Sequence, residues 1–240
     1  MAFEDVLARA KAGDPDAQVA MGYMFFSGDG VVQDRREAAR WFGLAADQGN
    51  AEALCNLGHM RAHGSGLSLD LEKAMDLYRR SAEGGYARAM FNLGFMYSDV
   101  EGIEQDWEKA FEWYMRSAEA GSVMGLYRAA VILQEGRGMP ADPGRAMEYY
   151  QKCMEAGYEK AAYRLGTMYL SGEGVQKDVS KAVKYFARGA EMGSPDAMLE
   201  LGRMSLSGEG MVRSVNNARK WLSKAAARGN EEAAALLSGL

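Results

Sequence analysis

Cysteine, histidine and proline are all scarce: two, two and four residues respectively in a chain of 240. With so few cysteines the chain is not a disulfide scaffold, and a reducing, cytoplasmic compartment is the expected location. Few prolines beside 29 glycines favour helices joined by frequent short turns. No stretch approaches the roughly 18 continuous apolar residues that a membrane span needs, so no membrane partner is expected. The start of the chain is charged from Glu4 onward and lacks the apolar core of a secretory signal. Positive charge is not in excess either. A net charge of −5 argues against nonspecific nucleic-acid binding. What remains, 48% hydrophobic and 25% charged residues, is the balance of a folded soluble protein.

What the chain does have is a period. Ala17, Ala53, Ala89, Ala161 and Ala197 recur at 36 residues or twice that, with Gly125 in the remaining place. Five residues on stand Gly22, Gly58, Gly94, Ala130, Gly166 and Gly202, and Ala38 and Gly49 recur six times without exception. The register divides the chain into 1–13, six copies at 14–49, 50–85, 86–121, 122–157, 158–193 and 194–229, and 230–240. A fixed period in this range marks an array of stacked units.

Each copy reads as two antiparallel helices. In the first, helix A is predicted from Pro15 to Ser27, with Ala17, Met21, Met24 and Phe25 on its buried stripe and Gly28 as its stop. Asp34 is placed to cap helix B, and Glu37 three residues later completes the pattern of a capping box. Ala38, Trp41, Phe42, Ala45 and Ala46 form the buried stripe of helix B. Pro15, Pro143 and Pro195 fall at first helical positions, where a missing N–H costs nothing. The mid-helix glycine costs roughly 1 kcal/mol against alanine. Its expected return is a seat for a ring from the pairs Trp41/Phe42, Trp113/Tyr114 and Tyr149/Tyr150.

Copy five writes the pattern out most fully, as Ala161, Leu165, Gly166, Tyr169, Gly172, Gly174, Val175, Asp178, Lys181, Ala182, Tyr185, Phe186, Ala190 and Gly193. This resembles the Sel1-like repeat family, a relative of the tetratricopeptide repeats with a longer inter-helix loop. The resemblance covers residues 14–229. It implies an all-α, right-handed α-solenoid of six helix-turn-helix repeats that acts as a non-enzymatic adaptor for protein partners. Residues 1–13 and 230–240 then resemble capping half-repeats, carried by Val6, Leu7, Ala10, Ala233 and Leu237, which would make the array complete. Copy three departs at Ser98–Gly102, where the first loop glycine is lost, so its inter-helix turn should differ. Some secreted relatives of this family carry a cysteine pair in every repeat and have been proposed to bind small molecules or cell-wall fragments, or to hydrolyse them. This chain lacks those pairs, and that role is the alternative.

No catalytic constellation emerges from the residues. Cys153 falls where four other copies have Ala or Ser and reads as a small core residue. A Cys55–Cys153 bridge would join non-neighbouring copies, beyond disulfide reach. Cys55, His59 and His63 share one helical stripe, but the first and last lie about 12 Å apart along the axis, too far to share one ion. The Gly-x-Gly loops follow helices, so they read as turn punctuation, not as phosphate cradles. No metal and no cofactor is expected.

The informative surface is therefore the helix-A face opposite the core stripe. Positions equivalent to 19, 23 and 26 are expected to line a concave groove. There Tyr23, Phe26, Phe91, Phe95, Tyr127 and Tyr163 would form an aromatic strip, with His59 among them. Asn56 and Asn92 stand where tetratricopeptide relatives can carry an asparagine ladder, which implies that they hold the backbone of an extended peptide. Arg128 and Arg164 occupy the same position in later copies and, with nearby Arg88 and Lys160, suit a carboxylate or acidic side chain. The expected partner is a peptide or protein segment. Self-association through the convex face or the ends is a further possibility left open by the sequence.

Overall fold

A computed structural model describes residues 3–240. The described residues form fourteen helices in chain order: α1 (Phe3–Lys11), α2 (Pro15–Ser27), α3 (Arg35–Asp47), α4 (Ala51–Ala62), α5 (Leu71–Glu83), α6 (Ala87–Asp99), α7 (Trp107–Glu119), α8 (Val123–Glu135), α9 (Pro143–Glu155), α10 (Glu159–Ser171), α11 (Val179–Glu191), α12 (Pro195–Ser207), α13 (Val215–Ala226) and α14 (Glu231–Ser238). Even-numbered helices from α2 to α12 are the A helices and odd-numbered ones from α3 to α13 the B helices. The chain divides into two compact units, one ending at Gly125 and the other beginning at Leu126.

Helix ends follow the caps written in the sequence. Asp34, Asp70, Asp106, Asp142 and Asp178 each accept a hydrogen bond from the amide three residues on, and Ser214 does the same in copy six. Each such cap stabilises its helix by about 1 kcal/mol. The second half of the expected capping box does not form in copy one. The Asp34 amide donates to the Phe25 carbonyl, and Glu37 turns outward to Arg40 at 2.7 Å. The same loop clasp recurs from Asp70 to Arg61, Asp106 to Tyr97, Asp142 to Leu133 and Asp178 to Tyr169. With its amide already bound to helix A, the cap residue has nothing left for a side chain at the third position to accept.

In the first unit, Val19, Phe42, Leu54, Met60 and Leu77 form one buried cluster, and Tyr78, Leu93 and Met96 anchor another. In the second, Phe186, Leu201, Met204 and Leu222 pack together. The mid-helix glycine is explained by close approach. A Cβ built on Gly22 would stand 2.4 Å from the Phe42 ring, and one on Gly166 would stand 2.5 Å from the Phe186 ring. Of each expected aromatic pair, only the second member takes this seat. Trp41 packs instead against Val6, Ala10, Ala17 and Met21, beneath α1. Ala130 in copy four is fully buried, as is Tyr150.

The inter-helix loops keep one length but not one conformation. Gly28, Gly172 and Gly208 end their helices in the left-handed region, at φ 80°, 85° and 84°. Copy three, without that glycine, ends α6 on an extended Val100 and turns at Gly102, as its sequence implies. The second loop glycine serves packing: a Cβ on Gly66 would sit 2.5 Å from the Arg35 carbonyl oxygen of the preceding copy.

Candidate functional site

On the first unit's helix-A face, α2, α4 and α6 present Tyr23, Phe26, Asn56, His59, Phe91, Asn92 and Phe95 in succession. The first member of the expected surface triplet is corrected in copies one, two and six, while Phe91, Tyr127 and Tyr163 stay partly exposed. Val19 and Cys55 are 6% and 1% exposed and belong to the core. A helix flanked by a partner on either side buries a wider stripe than the 17, 21, 24 line alone. Leu199 is buried in the second unit for the same reason. The second position of the triplet is where the surface lies: Tyr23 and Phe95 are the most exposed aromatics of the strip, at 37% and 38%.

The strip is not a row of free rings. Four of its six aromatics lean on the helix-B ring of their own copy: Tyr23 edge-on to Phe42 at 5.4 Å, Phe91 tilted on Tyr114 at 5.3 Å, Tyr127 on Tyr150 at 5.5 Å and Tyr163 on Phe186 at 6.0 Å. Such pairs add about 0.5–1.5 kcal/mol beyond burial. They fix the rings in place, so their outward edges are presented without the entropy cost of ordering a loose side chain.

The polar residues are also tied. Asn56 is buried, and its Nδ2 donates to the Tyr23 hydroxyl at 2.9 Å, while that hydroxyl donates to Glu52 Oε1 at 2.8 Å. Burial, with Glu52 nearby, pushes the Tyr23 phenol up to about 12, against the help of Asn56. Asn92, half-buried, donates to Cys55 Sγ at 3.6 Å. The Asn56 amide expected to hold a peptide backbone is thus already engaged within the chain. Burial raises the Cys55 thiol to about 11, so it is neither a nucleophile nor a ready ligand.

His59 and His63 stack with ring centroids 4.1 Å apart, and His63 Nδ1 bonds to the His59 carbonyl at 2.9 Å. Burial lowers the His59 pKa, helped by His63 and Arg88, so the ring is neutral near pH 7. Among the described residues no group of three or more His, Cys, Asp or Glu side chains is placed to hold a metal ion. Two hollows meet at His59. One, of about 70 Å³, is lined by Tyr23, Phe26, Phe42, Asn56, Met60 and Arg88. The other, of about 160 Å³, is lined by Ala62, His63, Leu71, Tyr78, Asn92, Phe95, Met96 and Val100. Arg88, read from the sequence as a group suited to a carboxylate, lies outside the aromatic strip and lines the first of these hollows.

In the second unit the same face carries Tyr127, Arg128, Tyr163 and Arg164. Arg164 Nε approaches the Tyr127 hydroxyl at 3.4 Å, and Tyr158 packs edge-on against the Tyr127 ring at 4.9 Å. These residues are half-buried and form a polar–aromatic cluster of their own.

The Sel1 repeat profile matches six times, at residues 15–50, 51–86, 87–122, 123–158, 159–194 and 195–230. The chain belongs to the Sel1 repeat family. These boundaries run one residue later than those read from the sequence period. Among solved structures, a Sel1 repeat protein from Oxalobacter formigenes is 31% identical, over 90% of this chain and 89% of its own, with a TM-score of 0.82. A protective antigen present in uropathogenic Escherichia coli is 28% identical over 98% of this chain, with a TM-score of 0.84; the match spans half of that antigen's length. The pilF protein of Pseudomonas aeruginosa, 16% identical over 96% of this chain and 99% of its own with a TM-score of 0.63, shares the fold alone. No curated protein matches the chain in sequence. Sel1 repeats are generally non-catalytic scaffolds that mediate protein–protein interaction. No helix among the described residues is long and apolar enough to cross a membrane.

Proposed function

We propose that this Sel1 repeat chain is a non-enzymatic adaptor that binds a peptide or protein segment along its helix-A faces. The segment carries a carboxylate or acidic side chain. The observation that carries this reading is the pair of hollows on either side of His59, with Arg88 on the wall of one and Phe95 on the wall of the other. A partner's apolar side chain fits the larger hollow, and the exposed Arg88 guanidinium is suited to bidentate pairing with a carboxylate nearby. Rings already held by their helix-B neighbours make good anchors, because little freedom is lost when a partner covers them. In the second unit, Arg128 and Arg164 beside Tyr127 and Tyr163 are proposed for the same kind of contact. A compartment without strong oxidants suits both buried thiols.

A peptide library displayed on phage and selected on the whole chain tests this. Enriched peptides should pair an apolar residue with an acidic one. Their affinity, measured by calorimetry, should fall about tenfold for Arg88→Glu and for Phe95→Ala. It should not change for Lys73→Glu, on exposed helix-B surface. Equal affinity for all variants, or no enriched peptide, would remove the reading.

A further inference from the structure

The second unit carries a hollow elsewhere, among α9, α10 and α11. It has a volume of about 340 Å³ and is lined by Met154, Tyr169, Lys181, Lys184, Tyr185 and Arg188. That is within the range of small-molecule sites. Tyr169 and Tyr185 stack with centroids 5.4 Å apart and planes 11° apart, forming one rigid wall. The Tyr185 hydroxyl donates to Gln151, which holds that ring from behind. Lys181 Nζ lies 5.1 Å from the Tyr169 centroid.

Three exposed cations therefore surround a half-buried aromatic wall. Their own acids neutralise them incompletely: Asp178 stands 3.9 Å from Lys181 and Glu191 stands 3.3 Å from Arg188, while Lys184 has no ion-pair partner among the described residues. The set is also peculiar to copy five. At the position of Lys184, copies two, three and four have Asp76, Glu112 and Glu148. At the position of Lys181, copy one has Glu37 and copy six Asn217. Elsewhere, then, the period breaks up the cationic triad; here all three places are basic. Packing of the repeat does not require this, since the other copies fold without it.

We propose that this hollow is a second binding site, which takes the phosphate monoester of an aromatic group. Three cations on one rim suit a dianion better than a single carboxylate. The volume exceeds the needs of an inorganic anion, and Tyr169, Tyr185 and Met154 offer the remaining space to an apolar ring. The site lies on the B helices α9 and α11 with Tyr169 from α10, and does not rest on the helix-A reading above.

Titration of the full chain with phenyl phosphate, followed by amide NMR, tests it. Saturable binding is expected, with shifts centred on residues 181–188. Affinity should fall about tenfold in Lys184→Glu, which restores the acid of copies two to four, and by a smaller factor in Lys184→Gln. Inorganic phosphate should bind about tenfold more weakly than phenyl phosphate. Lys184 is exposed, so thermal midpoints of both variants should match the wild type, which separates lost binding from lost folding. Adenosine monophosphate and phosphotyrosine then distinguish a nucleotide from a modified tyrosine as the natural source; tighter binding of either sustains the site. Undiminished binding by Lys184→Glu, equal affinity for inorganic phosphate, or no saturation would overturn it.

Discussion

Tyr23 in the first unit and Arg203 in the second occupy the same repeat position, five copies apart, and each reaches a carboxylate at one repeat position two helices on, Glu52 of α4 and Glu232 of α14. Tyr23 donates to Glu52; Arg203 pairs with Glu232 and with Glu200 at 2.7 Å. The helix caps beside them are also alike, with Asn50 donating to Asp16 and Asn230 to Asp196. Yet the results differ. At the first junction a phenol and the buried Asn56 meet the carboxylate through hydrogen bonds without a cation, beside a hollow that ends at His59. At the last, an ion pair sits at the surface. Where an acid stands at this repeat position, as at Glu52 and Glu232, the residue facing it decides whether the junction carries a pocket or a charge pair; copies three to five have Arg88, Met124 and Lys160 there instead.

Several substitutions would break or sharpen that contrast. The largest effect belongs to the seat that both units share. Phe42→Ala should cost about 3–5 kcal/mol and Leu222→Ala about 2–5 kcal/mol in denaturant unfolding. In hydrogen exchange each loss should centre on its own copy and immediate neighbours, since stacked repeats touch only their neighbours. A uniform loss across the chain would contradict this. Asn56→Ala should cost about 1 kcal/mol, as a half-buried hydroxyl loses its donor. Glu232→Gln should cost less, at most about 1 kcal/mol, and its effect should vanish in high salt, whereas that of Asn56→Ala should persist. The smallest effect is at alkaline pH. The folded Tyr23 phenol sits near 12 against an ordinary 10, so the folded state holds this proton longer than the unfolded chain. Its contribution to stability is complete below pH 10 and is lost as pH rises towards 12. Tyr23→Phe should flatten that part of the pH profile, while Arg203→Gln, which adds no group titrating between pH 10 and 12, should leave it unchanged.

Much of this is legible in the amino-acid order because the period repeats each signal six times. Pro15–Ser27 is the helix its proline and glycine delimit, and the ring seat at Gly22 follows from a glycine that propensity alone disfavours. The half-formed capping box at Glu37 was not legible, because it depends on a long-range bond from the Asp34 amide to Phe25 that no local pattern records. The burial of Val19 and Cys55 was missed for a related reason: helical spacing gives the direction of a side chain but not how many neighbours flank it. Lys184 lies on helix B, away from the face that the aromatic pattern marks. The clue was present as a basic residue where three other copies carry an acid.

The proposed partner segment occupies the first unit's helix-A face. Hydrogen exchange on the full chain, with and without a display-selected acidic peptide, tests it most directly. Slowed exchange should appear in α4 and α6, over residues 56–63 and 88–95. Protection confined to α11, or absent from α4 and α6 at saturating peptide, would contradict it.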